Sequence, residues 1–234
     1  MKMKKDLSYI NLGLIDYKEA WDRQQDLFDR IVERKLNGGN ACDTLILCEH
    51  PHVYTLGKSG HSANLLITDD FLSSIGASYY KIDRGGDITY HGPGQIVGYP
   101  IIDLEKFGVS LKDYIRLVED VIIQTIAHFG LVGDRLDGAT GVWLDPLTQG
   151  KARKICAIGV KASRFITMHG FALNVNTNMD YFSYINPCGF VDKGVTSLEK
   201  ELGTSLNMDE VRSVIVEKFL KVFDATLNKN LEAK

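Results

Sequence analysis

No stretch of the sequence approaches the ~18 consecutive apolar residues that a membrane-spanning helix needs. The basic start, "MKMKK", is not followed by the apolar core of a signal peptide. The expectation is a chain that works in the cytoplasm without a membrane. Cysteine is sparse, with four residues at 42, 48, 156 and 188. Where thiols stay reduced, that number and spread do not make a disulfide framework. No CxxC pair occurs, and Cys48, His50 and His52 share one face of an expected strand without a spaced fourth ligand, so no metal is expected. Neither a GxxxxGK[S/T] loop nor a GxGxxG turn is present, which removes support for a standard nucleotide site. Repeats, low-complexity tracts and Pro/Ser-rich linkers are also missing, so one domain over 1–234 is expected. A net charge of −3 argues against a dedicated nucleic-acid binder.

What remains is a 234-residue chain, 44% hydrophobic and 24% charged, an ordinary balance for a globular protein. "LSYINLGLI" reads as a first strand. Asp16 then caps a helix, with Glu19 three residues on in a capping-box pattern. "TLILCEH", "VYTLG", "SYYKIDR", "DITYH" and "QIVGYPIIDL" read as strands separated by proline and glycine turns. Ser110 caps a second helix with apolar positions from Leu111 to Ile126 on one side and Gly130 as its stop. "TGVWL", "KICAIGV", "FITMH" and "FALNVN" are further strands, and a terminal helix starts near Met208. Long helices flanking a strand-rich middle do not make a regular βαβ alternation. The pattern predicts an α+β fold, a mixed or antiparallel sheet with packed helices.

Four stretches carry unusual chemistry. "RGGDITYHGPGQ" crowds Arg84, Tyr90, His91 and Gln95 among glycine turns, and "GPGQ" suits a type II turn with Pro93 second and Gly94 third. A ligand-binding loop and a plain strand between two hairpin turns both fit this stretch. "KARKICAIGVKASR" holds Lys151, Arg153, Lys154, Lys161 and Arg164 with no acidic residue. A solvated face explains most of that charge, and the patch would also suit an acidic partner. Lys154 opens an apolar strand, at an edge that a cleft could use. In "MHGFALNVN", His169 and Gly170 start an alternating strand, and a lone histidine is by default a hydrogen-bonded structural group. Finally, "SYINPCGFVDKG" holds Cys188 at a bend between Pro187 and Gly189. Compartment and partner spacing argue against a disulfide or a metal ligand. A packing residue and a nucleophile stay level. A nucleophilic thiol needs a nearby cation or base, for which Lys154, His91 and His169 are the candidates.

Together these stretches resemble the lipoyl(octanoyl) transferase family, whose members move an octanoyl group from acyl carrier protein to lipoyl domains. "RGGDITYHGPGQ" is similar to the family's RGGxxTYHGPGQ segment, "RKICAIGV" to its lysine-bearing strand, "HGFALNVN" to its HGxALNV strand and "INPCG" to its cysteine loop. The likeness runs from about residue 9 to 203, with "EHPHVYTLGKSGHSANLL" and "GVTSLEKELG" in the expected order. It implies a biotin/lipoate protein ligase catalytic-domain fold and no cofactor. It further implies that Cys188 is the acyl-thioester nucleophile and Lys154 the ammonium that lowers its pKa. Arg84, Gly85, Gly86, Asp87, Ile88, Thr89, Tyr90 and His91 would line the acyl pocket. Ala157, Ile158, Gly159, Gly170, Phe171 and Ala172 would join them, with His169 shaping the pocket. The implied partners are acyl carrier protein as octanoyl donor, with lipoyl domains of 2-oxoacid dehydrogenase complexes and the glycine cleavage H protein as acceptors. An ATP-dependent ligase of the same fold and a silent binding module are the alternatives.

Overall fold

The computed structural model describes residues 5–38, 42–186 and 193–228. In chain order the elements begin β1 (Asp6–Leu14), α1 (Tyr17–Leu36), β2 (Asp43–Glu49), β3 (Val53–Leu56), α2 (Asp69–Ser74) and β4 (Ser78–Lys81). There follow β5 (Ile88–His91), β6 (Gln95–Ile101), α3 (Leu104–Phe107), α4 (Leu111–His128), β7 (Asp134–Leu136) and β8 (Ala139–Leu144). The chain continues through β9 (Arg153–Ser163), β10 (Ile166–Asn174), β11 (Gly194–Val195), α5 (Leu198–Leu202), α6 (Met208–Val222) and β12 (Thr226–Leu227).

Local chemistry sets the helix starts. Ser110 and Asp113 form a complete capping box on α4, each side chain bonding the other's backbone N–H. On α1 only half of the expected box forms. Asp16 accepts from the N–H groups of Lys18 and Glu19, while the Glu19 carboxylate turns one helical turn onward to Arg23. A free N-terminal N–H was the weaker attraction than a cation on the same exposed face. Gly130, at φ +89°, follows the end of α4 as its spacing predicts.

The large sheet runs in the order β12-β1-β2-β6-β10-β9-β8-β7, with β11 pairing to β9. β12, β1 and β2 are parallel, and β6, β10, β9, β8 and β7 continue it antiparallel. Strand alternation divides the core between its faces. Leu45, Leu47 and Ile96 pack with α4 and α6, whereas Ile46, Cys48, Val97 and Tyr99 pack under α1. A second sheet, β4-β3-β5, has its own apolar cluster of Tyr54, Leu56, Ile88 and Tyr90, covered by Leu72 and Ile185.

Two expected boundaries are corrected. "FITMH" and "FALNVN" form one strand, β10, whose ladder with β9 runs unbroken from Ile166↔Ser163 to Leu173↔Cys156. That ladder carries His169 through φ +61°, a conformation that made the His-Gly pair look like a break. The "GPG" segment is the expected turn, with Gly94 at φ +78° and the Gln95 N–H donating to Gly92 O at 3.1 Å. It does not close a hairpin, however. β5 pairs with β3 and β6 with β2 and β10, so the turn carries the chain from the small sheet to the large one.

β6 and β10 meet closely at the Phe171↔Gly98 pair, where a Cβ on Gly98 would lie 2.1 Å from the Phe171 ring. Gly98→Ala should therefore destabilise the protein by ~1–3 kcal/mol, the cost of overpacking a filled core. A urea unfolding midpoint unchanged from wild type would contradict this packing.

Candidate active site

A cavity of about 620 Å³ lies among β5, β6, β9 and β10, with Tyr17 of α1, Trp143 of β8 and residues 179–186 also on its wall. Small side chains create the space. Ala157 faces Ala172 across the β9–β10 ladder, and Gly159 faces Gly170 two residues on. The turn at Arg84–Gly86 presses onto β9 here. The Gly85 N–H donates to Val160 O at 2.9 Å, and a Cβ on Gly159 would come within 2.9 Å of Gly85 O. Arg84 fastens the turn to the small sheet by donating to Thr55 O at 2.7 Å and Thr55 Oγ1 at 3.0 Å.

Of the residues expected at the pocket, Arg84, Gly86, Asp87, Ile88, Thr89, His91, Lys154, Ala157, Ile158, Gly159, His169, Gly170, Phe171 and Ala172 line this cavity. Gly85 and Tyr90 do not. Gly85 has its backbone against β9. Tyr90 shares its face of β5 with Ile88, in the small sheet's apolar cluster, and of the two Ile88 reaches the cavity while Tyr90 does not. Its hydroxyl lies 2.7 Å from His52 Nδ1, and its ring stacks on Tyr181 at 4.9 Å. Asp87 is used internally, accepting from Asn64 Nδ2 at 2.7 Å and from the Ile88 N–H at 2.6 Å. Cys188 lies outside the described residues. Asn186 and Lys193, the nearest described residues on either side of it, both line the cavity.

Lys154 stands one residue inside β9 rather than at a sheet edge, flanked by Trp143 of β8 and Val195 of β11. Its Nζ donates to Thr140 O at 3.1 Å and sits 4.7 Å from the centroid of the Trp143 ring. The basic stretch around it is largely matched within the molecule. Arg153 pairs with Glu201 at 2.6 Å and Asp145 at 2.5 Å, and Lys161 with Asp83 at 2.5 Å. Those two side chains are thus not the open patch for an acidic partner that the sequence suggests.

The two histidines on the cavity wall, His91 and His169, are both held below the ordinary imidazole value. Burial, with His50 nearby as a second cause, pushes His91 down to about 3. Its Nδ1 lies 2.8 Å from Gln95 Oε1, Gln95 Nε2 donates to Asn174 Oδ1 at 2.8 Å, and Asn174 Nδ2 donates to Thr196 O at 2.9 Å. A backbone carbonyl can only accept, so the whole chain has one direction. The proton sits on His91 Nδ1 and the lone pair on Nε2, 3.4 Å from Thr55 Oγ1. His169 is lowered chiefly by burial, with Asp83 opposing, and its Nε2 lies 2.8 Å from Asp83 Oδ1. Hydrogen bonds from His169 and Lys161 hold the Asp83 carboxyl well below the usual range. Positive charge on the described cavity wall comes from Arg84, Lys154 and Lys193.

The site also contains Tyr17, Tyr99, Thr140 and Trp143, outside the four quoted motifs, and Asn174, which lies within "HGFALNVN" but is not among the expected pocket residues. Asn174 carries a readable signal, a polar residue at an inward position of an apolar strand. Trp143 carries none, since a tryptophan in "TGVWL" reads equally as core.

The sequence and the fold are shared with known proteins. Residues 16–220 match the lipoyl protein ligase A/B catalytic domain. An octanoyltransferase of Bacteroides fragilis is 57% identical over 207 residues, covering 88% of this chain and 93% of that one. Another octanoyltransferase, from Parabacteroides distasonis, is 53% identical over 215 residues, covering 92% of this chain and 97% of that one. The fold also overlays the solved bipartite lipoate protein ligase of Thermoplasma acidophilum with a TM-score of 0.72 at 14% identity, over 96% of this chain and 86% of that one. The chain belongs to the lipoyl protein ligase A/B catalytic-domain family. Within it, the chain falls among the acyltransferases called octanoyltransferases.

The buried histidines give the fold a pH dependence. His50, also lowered by burial, stands at about 4, and both it and His91 lie below the ~6.5 of a free imidazole. As pH falls below ~6.5, the unfolded chain takes up protons that the folded one refuses. Their contribution is complete above that value and declines toward the folded pKa values, by up to ~1.4 kcal/mol per pH unit for each histidine. Unfolding free energy measured by urea titration should drop across this window, and His91→Gln should show a shallower slope than wild type. Equal slopes would mean that His91 is not held neutral.

Proposed function

We propose that the enzyme transfers an octanoyl, or lipoyl, group from acyl carrier protein to a specific lysine of lipoyl domains through a thioester on Cys188. In this reading the 1–234 chain is one catalytic domain, acting in the cytoplasm where the thiol stays reduced. Lipoyl domains of 2-oxoacid dehydrogenase complexes and the glycine cleavage H protein are the acceptors. The observation that carries the reading is the grouping of Lys154 with Asn186 and Lys193, the residues bracketing the Cys188 segment, on the wall of one cavity. The printed names of the relatives, octanoyltransferase, support the acyl group.

The chemistry follows from a cation beside a thiol. At an effective dielectric of about 20, charges ~4 Å apart attract by ~4 kcal/mol before desolvation, enough to lower a thiol by more than a unit. The Cys188 thiolate attacks the octanoyl thioester carbonyl, forming a new C–S bond. The phosphopantetheine thiolate leaves and takes its proton from the Lys154 ammonium. Neutral Lys154 then accepts a proton from the incoming lysine amine as that nitrogen forms the amide and expels the Cys188 thiolate. Thioester-to-amide transfer runs downhill, so the sequence of steps consumes no ATP. His91 and His169, both neutral and internally bonded, shape the wall rather than act as the base.

Two measurements test this. Incubation with octanoyl-acyl carrier protein should add one octanoyl group to the intact mass of wild type and none to Cys188→Ala. An adduct persisting in that variant, or transfer that requires ATP and free octanoate, overturns the reading. Alkylation of Cys188 should move to higher pH in Lys154→Met, whereas identical pH profiles would remove the lysine from thiol activation.

A further inference from the structure

The side chain that faces Lys154 across the β8–β9 pairing is an indole, and the hairpin bearing it is secured from several directions. Trp143 is 2% exposed, and its Nε1–H donates to Ala139 O at 2.9 Å, which fixes the plane of the ring. The Lys154 Nζ lies 4.7 Å from that ring's centroid and 3.1 Å from Thr140 O on the same strand. Gly141, between Thr140 and Val142, has φ +125°, and a Cβ there would meet Cys156 O at 2.5 Å and Lys154 Cε at 3.4 Å. Its N–H donates to Glu119 Oε1 at 3.1 Å, and Glu119 is itself held by Arg135 at 2.8 Å. Arg135 also reaches Asp120 at 2.6 Å, so α4 anchors β7 and β8 together.

We propose that Trp143 is a positioning residue of the transferase site, whose indole face holds Lys154 as an ammonium and aims it along the cavity wall. A ring face attracts the cation but offers no site for its proton, and a backbone carbonyl behaves likewise. The indole face and the Thr140 carbonyl thus orient Lys154 without taking its proton. Among the described residues, charged groups near it include Glu119, bound to Arg135 and Gly141; Arg153, between Asp145 and Glu201; and Lys193 on the same wall. Glu119 and Arg153 sit in ion pairs of their own, and the indole is the aromatic surface beneath the Lys154 charge. This proposal rests on the reading that Lys154 takes part in acyl transfer, but the charge state can be measured without turnover.

The test replaces Trp143 by its mono-, di- and trifluoro analogues in a Trp21→Phe background. Fluorination drains the negative ring face at nearly constant shape, so packing alone would not respond. The Lys154 pKa is read by NMR from ε-carbon-labelled lysine, the signal assigned by its loss in Lys154→Met. Stepwise fluorination should lower that pKa progressively, and Trp143→Leu should lower it by about half a unit to one and a half units, with Trp143→Phe in between. The alkaline limb of kcat/KM for octanoyl transfer should move down in pH by the same steps. A Lys154 pKa that stays constant across the fluorinated series overturns the proposal. A pKa that falls while the alkaline limb stands still upholds the indole's hold on the ammonium and instead removes Lys154 from proton transfer.

Discussion

The cavity depends on how closely the Arg84–Gly86 turn approaches the backbone of β9. That contact includes the hydrogen bond from Gly85 N–H to Val160 O, over a strand position where even a methyl group would collide. It joins two sheets that share no strand pairing, and Arg84 completes the joint by bonding Thr55 on β3. Space between the sheets is then set by what does not fill it, the pairs Ala157/Ala172 and Gly159/Gly170. Larger residues at those positions would restore an ordinary sheet core and fill the cavity, which the proposed function assigns to the acyl chain.

Polar groups around this space are arranged so that charge is selective. His91 and His169 are buried and neutral, the one tied through Gln95 and Asn174 to Thr196 O, the other to Asp83. Arg153 and Lys161 are matched by carboxylates. Lys154 lies against a ring face and a backbone carbonyl. In the proposed transfer, where Lys154 moves a proton in each half of the reaction, neutral histidines on the same wall do not compete for it.

The large helices and most strands are legible in the sequence because each repeats a period over many residues. Short elements such as α2, α3 and α5 carry too few residues for a period to register. The GPG turn was readable as a turn but not as a passage between sheets, since partner choice is made by distant strands. Likewise, the "RGGDITYHGPGQ" stretch marks a wall of the cavity, yet the stretch alone does not say that Tyr90 turns to His52 while His91 turns inward. Lys154 was visible as a residue of interest, whereas its partner Trp143 was not. Their meeting is set by the β8–β9 register, where a shift between Val142 and Trp143 brings the indole opposite the lysine.

At the far side of the large sheet, β12 lies parallel beside β1, and Thr226 Oγ1 bonds Asp6 Oδ1 across 220 positions of chain. During synthesis β1 can pair with β2 soon after both emerge, but its outer edge has no partner until residue 226 has left the ribosome. An unpaired edge is a template for another chain. The two-residue β12 therefore covers the start of that edge, at Asp6 and Leu7, only after nearly all of the sheet it completes has been made.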